Sequence, residues 1–208
     1  LAVNGTSTPV SLDFSGLSGT RSFESGSGAN LTTYSFDAGV QETYLFLIDT
    51  GAAVSLNGAT VTYDSNGWED IAALADVGTC TASVVSSRTL SLQRADGSTV
   101  RLDFSAATGT GHGLGTAAFD PSAQSTYLVF GAVHGLTEGL EVTYNAAAGG
   151  AVGRLTDGAA YRVSVVDDHT ITLSAASGGP AIALDWASAS QSGHLLEYDN
   201  GGTPDSVA

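Results

Sequence analysis

Two stretches of this 208-residue chain and one scattered set of aromatic residues combine residue types that could do chemistry. In Leu47-Ile48-Asp49-Thr50-Gly51-Ala52 an apolar run enters Asp-Thr-Gly. Two such turns, brought together, can hold two carboxylates close enough to share one proton. The chain has one copy, so that chemistry would need a second chain. In Asp64-Ser65-Asn66-Gly67-Trp68-Glu69-Asp70, oxygen-bearing side chains alternate around a glycine, which makes Asp64, Asn66, Glu69 and Asp70 a candidate calcium loop. Calcium is the one cofactor the sequence suggests, there or bridging acidic module junctions. The aromatic residues Trp68, Trp186, Tyr63 and Tyr144 are the third set, offering faces on which sugar rings could stack.

The remaining candidates read more simply as structure. His112 and His194 occupy equivalent positions of an internal repeat, which points to packing or hydrogen bonding, since no second ligand stands at metal-binding spacing. His134 and His169 fall at turns and are expected to be exposed. Asp13, Asp103 and Asp185 recur between apolar neighbours in Leu-Asp-Phe/Trp, so alternation turns them away from the core. Cys80 is alone and reads as a small buried hydrophobe. Asn4-Gly5-Thr6 and Asn30-Leu31-Thr32 fit the glycan-acceptor pattern, which is common by chance. The chain contains no Gly-x-Ser-x-Gly elbow, phosphate loop or Cys/His cluster, and the reading is non-enzymatic.

The elements that must position these residues come from a duplication. Phe36-Asp37, Gln41 and Thr43-Tyr44-Leu45 return as Phe119-Asp120, Gln124 and Thr126-Tyr127-Leu128. Val61-Thr62-Tyr63 returns as Val142-Thr143-Tyr144, and Ser83-Val84-Val85 as Ser164-Val165-Val166. Leu102-Asp103-Phe104 with Gly111-His112 returns as Leu184-Asp185-Trp186 with Gly193-His194. The order is preserved at a period of about 80 residues. A partial third copy opens the chain, where Val10 to Ser15 echoes Val100 to Ser105. The expected organisation is therefore residues 1–35 as the end of a preceding repeat plus a Ser/Gly-rich connection, then module 1 at 36–118 and module 2 at 119–208.

Within each module the pattern is β. Short apolar runs (Tyr44 to Ile48, Tyr127 to Phe130) suit buried strands, and Ala59 to Tyr63 and Leu140 to Tyr144 alternate in the half-buried manner. Asn57-Gly58 suits a turn needing positive φ. Tyr161 to Val166, the turn Asp167-Asp168-His169 and Thr170 to Leu173 read as a hairpin, repeated around Ser86-Ser87-Arg88. Val100 to Phe104 and Ala181 to Trp186 are expected as closing strands, and only Asp70 to Ala75 as a helical turn. The fold class is all-β, in tandem small β-sandwich or barrel modules.

Composition narrows the partners. The formal net charge is -15, from 21 acids against 6 bases, and every base is an arginine. The arginines do not cluster, so the chain lacks the basic footprint that nucleic acid requires. The same balance opposes anionic membranes, and no apolar run nears the roughly 18 residues of a span. Without lysine, Lys–Asn isopeptide cross-links are impossible. Charged residues make up 13 %, about half the usual share, and Ala, Gly, Ser, Thr and Val dominate, as in secreted repeat proteins. The start at Leu1 and the absence of methionine suggest processing from a longer precursor.

The second module and the end of the first resemble tandem β-repeats of giant bacterial surface and secreted adhesin-like or haemagglutinin-like proteins, some of them calcium-associated. The residues that carry the resemblance are Gly109-Thr110-Gly111-His112, Phe119-Asp120-Pro121-Ser122, His134-Gly135-Leu136-Thr137-Glu138-Gly139, Val142-Thr143-Tyr144, Gly153-Arg154-Leu155-Thr156-Asp157-Gly158 and Asp167 to Leu173. The likeness implies an extracellular or cell-surface location and a structural or adhesive role. Expected partners are other copies or neighbouring modules, assembling into a filament, sheath or surface layer, and surface glycans. Two alternatives accompany it: a carbohydrate-binding or phage-fibre-like module, and a protease, because Asp49-Thr50-Gly51 resembles the turn of retroviral and pepsin-type aspartic proteases.

Overall fold

The computed structural model describes residues 21–24, 30–75, 78–146, 150–189 and 193–199. Its strands are β1 (Arg21–Glu24), β2 (Asn30–Phe36), β3 (Tyr44–Phe46), β4 (Thr60–Asp64), β5 (Thr79–Val84), β6 (Thr89–Gln93) and β7 (His112–Leu114). The series continues with β8 (Ala117–Phe119), β9 (Tyr127–Val129), β10 (Glu141–Asn145), β11 (Ala160–Val165), β12 (Thr170–Ala175) and β13 (His194–Asp199). Between them lie the single-turn helices α1 (Ala52–Ser55), α2 (Ala72–Ala75) and α3 (Pro121–Gln124) and the 3-10 turns Ala38–Thr43 and Trp186–Ser188. The fold is all-β, as the alternation predicts. The single helical turn expected near 70–75 is joined by others, among them two that follow the repeated Phe-Asp. There the Asp37 and Asp120 carboxylates accept the Gly39 and Ser122 N–H groups, and these local caps hold the turns.

Antiparallel pairing builds two sheets. One has seven strands in the order β1-β2-β13-β10-β11-β12-β9, and the other six in the order β3-β6-β5-β4-β7-β8. Read from β8, the smaller sheet runs β8-β7-β4-β5-β6-β3, the order of the larger one from β2 to β9. The registers agree as well. His112 opposes Phe119 where β7 meets β8, and His194 opposes Phe36 where β13 meets β2. The β7–β8 turn is tight, and Gly115 takes the positive φ of 58° that it requires. β2, by contrast, reaches β13 from far away in the chain.

Sheet membership changes at two symmetric points. Gln41 is bonded to β9 of the larger sheet, while the next residue, Glu42, accepts the Leu102 N–H and pairs with Arg101 in the smaller one. Likewise Gln124 is bonded to β3, while Ser125 accepts the Leu184 N–H. Beside β1, the described residues therefore form two bodies within 42–114 and 125–199, each preceded by an arm, 30–41 and 117–124. Each arm docks on the body that it does not lead into by sequence repeat. The second arm folds back on the first body, and the first arm completes the second.

Each body has its own core. Leu45, Leu47, Val61, Leu90, Leu92 and Leu114 pack with Phe119 from the second arm. Leu128, Val142, Tyr144, Ile171, Leu173 and Leu196 pack with Tyr34, Phe36 and Ala38 from the first. Cys80 is buried in the first core, opposite Val61, and burial raises its thiol pKa, as a structural thiol requires. The expected closing strands at 100–104 and 181–186 are not strands. Val100 and Leu102 donate to two different elements, Leu92 and Glu42, and Ile182 and Leu184 do the same to Leu173 and Ser125. Single bonds to separate partners bury the apolar side chains without making a ladder.

Candidate functional site

The four calcium candidates lie together in sequence but are committed locally or spread in solvent. Asp64, Asn66, Glu69 and Asp70 are all exposed. The Asp64 carboxylate accepts the Asn66 N–H at 2.8 Å, closing a turn, and the Asn66 side-chain amide donates to the Gly111 carbonyl. Among the described residues, the metal-ligating side chains whose ligand atoms all lie within 4.8 Å of one another are instead Asp167, Asp168 and His169. These form the β11–β12 turn, where the His169 imidazole sits 2.9 Å from Asp168 and the Asp167 carboxylate accepts the Ser86 hydroxyl. Asp49 is exposed in the turn after β3, and its repeat counterpart region carries no acid.

The repeated histidines are buried completely and bonded at both ring nitrogens or through a tyrosine. The His112 Nε2–H donates to the Thr108 carbonyl at 2.9 Å, which leaves Nδ1 to accept from the Tyr63 hydroxyl at 2.8 Å. The Tyr63 oxygen in turn accepts the Ile71 N–H at 3.0 Å. The second body repeats the arrangement. Tyr144 bonds His194 Nδ1 at 2.8 Å and accepts the Val152 N–H at 2.9 Å. Burial raises both tyrosine pKa values above the ordinary 10.0, so the hydroxyls keep their protons and can donate. Each relay ties a loop to the sheet through a side chain that the strand projects inward. These histidines hold structure.

His134 departs from expectation. It is buried rather than exposed, with Nε2–H donating to the Asp167 carbonyl and Nδ1 accepting the Leu136 N–H, both at 2.9 Å. His134 lies in the loop after β9, bonded to the β11–β12 turn at Asp167 and Asp168, and its ring packs 5.3 Å from Phe130. Burial lowers its pKa below the ordinary 6.5, against the opposing pull of the Asp167 carbonyl and nearby carboxylates. Asp103 and Asp185 do face outward, each accepting an N–H two residues on, from Ser105 and Ala187. Asp13 and Asn4 lie outside the described residues.

The aromatic candidates divide. Trp186 is buried, 6.3 Å edge-on from Phe36, and Tyr144 is buried within its relay. Trp68 is half-exposed at 51 %, with its indole laid on Gly109 so closely that a Cβ there would meet the ring at 2.1 Å. No four-aromatic face exists among these residues.

A feature that sequence reasoning passed over joins the two bodies. The Gln41 side chain brackets Val129, donating to its carbonyl and accepting its N–H, both at 2.9 Å. Gln124 brackets Phe46 in the same way at 3.0 and 2.8 Å. Between them Thr89 meets Thr170, its own repeat counterpart, hydroxyl to hydroxyl at 3.2 Å, and Ser86 meets its counterpart Asp167. Residues meeting their equivalents, and reciprocal pairs, are the signature of an isologous two-fold interface. Here it lies within one chain. The signal was present, since glutamine recurs in the repeat just after Phe-Asp, but the partner across the interface is not written nearby.

No family model matches the chain, and neither the curated proteins nor the solved structures offer a match.

Proposed function

We propose that this chain is a non-catalytic structural or adhesive unit of an extracellular repeat protein, built to assemble with other copies or modules. The observation that supports it best is the reciprocal docking of arms through the buried Gln41 and Gln124 brackets. An arm that completes another unit's sheet is a joint, and a joint that buries both backbone and aromatic groups transmits tension. The buried polar groups are already engaged in holding this framework: among the described residues no buried side-chain nitrogen or oxygen lacks a partner. Calcium would act on the acidic surface, stiffening the array by bridging carboxylates, with Asp167, Asp168 and His169 alongside Asp64, Asn66, Glu69 and Asp70 as the groups to vary. No helix among the described residues is long and apolar enough to cross a membrane.

Electron microscopy of the purified protein, with calcium and with chelator, tests the reading. Ordered filaments, sheets or tubes are the expected result. Separate particles in both conditions would sink it. A second reading, glycan binding, is favoured by the half-exposed Trp68 with its flanking Asn66. It predicts binding on a glycan array that Trp68→Ala abolishes.

A further inference from the structure

Resting on the reading above, we infer that the first arm, residues 30–41, is exchangeable, and that copies of this chain join by docking it on the second body of another copy. The two arms occupy equivalent slots but are tethered differently. The second arm is bound to the first body by the Gly115-Thr116 turn and cannot leave it. The first arm, with β1 paired to its β2, is joined covalently to the bodies of its own chain only at the Gln41–Glu42 link, where the contacts pass from one body to the other.

What the slot needs is the arm's residues, whichever chain supplies them. Six residue pairs register β2 on β13, from His194 opposite Phe36 to Asp199 opposite Leu31. Phe36 fills the centre of the second core, with its ring 5.4 Å from His194, 6.4 Å from Tyr144 and 6.4 Å from Phe130. Gln41 then brackets Val129. A body without its arm would present this set of aromatic and backbone groups to water, which no isolated body tolerates at low cost. Gln41 and Glu42 are consecutive, so a donated arm brings its own first body with it, and the arm bonds and the Thr89–Thr170 and Ser86–Asp167 contacts re-form between chains. The Gln124–Ser125 link then spans the parted bodies, and exchange is governed by concentration against loop closure. Successive donation from each chain to the next gives an open head-to-tail series.

The test uses the full chain with Cys80→Ala, so that no native thiol interferes. Ser35 and Leu195 are registered partners on the outer face of β2 and β13. Chains carrying Ser35→Cys and chains carrying Leu195→Cys are mixed at high concentration, incubated below the melting temperature and oxidised. A disulfide-linked heterodimer, absent after either chain is oxidised alone with the other thiol missing, is expected. The doubly substituted chain is expected to give a ladder of multimers. Thr33→Cys with Glu197→Cys, a second registered pair, covers the case in which the first pair disturbs folding. Intrachain bonds alone, at every concentration and for both pairs, overturn the inference. Filaments seen by microscopy without interchain disulfides would overturn arm exchange while leaving the structural reading standing. Interchain disulfides without ordered assemblies would do the reverse.

Discussion

At the scale of single residues, the repeated histidine and tyrosine act as paired fasteners. Tyr63→Phe removes the acceptor of the Ile71 N–H and the donor to His112, and Tyr144→Phe does the same to Val152. An orphaned buried group costs about 1–3 kcal/mol. Each substitution is expected to lower unfolding stability by about that much in urea titration, and losses below about 0.5 kcal/mol would show that the relays contribute little. His134 gives a pH dependence of known sign. Its folded pKa lies below 6.5, so the native state favours the neutral ring. The stability it contributes is complete above pH 6.5 and is lost as pH falls through the lowered folded value. His134→Asn, which keeps an acceptor for Leu136, is expected to flatten the melting temperature over that window. An unchanged slope would show that other groups produce it.

At the scale of elements, a three-residue strand is a weak unit by itself, and β3, β8 and β9 are each that short. The glutamine brackets supply β3 and β9 with pairing that no neighbouring strand provides. Gln41→Met and Gln124→Met keep the volume but leave one backbone N–H and one C=O unpaired each. Both should destabilise by about 1–3 kcal/mol per orphaned group, and by similar amounts because the geometry is repeated. A large loss from one and none from the other, in matched denaturant titrations, would show that the interface is not symmetric in energy. Gly109→Ala tests another contact: the methyl would strike the Trp68 indole, and φ is +88° there. Quenching or a spectral shift of Trp68 fluorescence with lowered stability is the expected outcome.

At the scale of the whole molecule, the net charge of -15 works against compactness. Sodium chloride is expected to raise the melting temperature up to about 0.15 M by screening, where the Debye length falls to about 8 Å. Calcium at equal ionic strength is expected to raise it further. Equal effects of the two salts would mean that calcium acts by screening alone. The symmetry of the two bodies also bears on folding. The first body and the arm docked on it, residues 42–124, are contiguous, whereas the second must wait for β2, whose pairing of Tyr34 with Leu196 has a far larger sequence separation than any in the first. In stopped-flow refolding, Phe36→Leu is therefore expected to slow the last phase, with an unaffected rate counting against this order.

The sequence by itself determined the β character, the hairpin turns, the burial of Cys80 and the inward histidines, because strand alternation and turn chemistry are local and the duplication prints them twice. It could not show that 100–104 and 181–186 lack ladders, since apolar alternation reports burial and not the partner of each N–H. Nor could it place His134, whose burial comes with bonds to the β11–β12 turn, at Asp167 33 residues further along the chain. Only the tertiary structure decided which arm completes which body. Phe36 and Phe119 read alike in sequence, and each fits the same slot. Chain connectivity selects between them: a two-residue turn holds one arm at home, while the other docks through contacts that lie far along the chain.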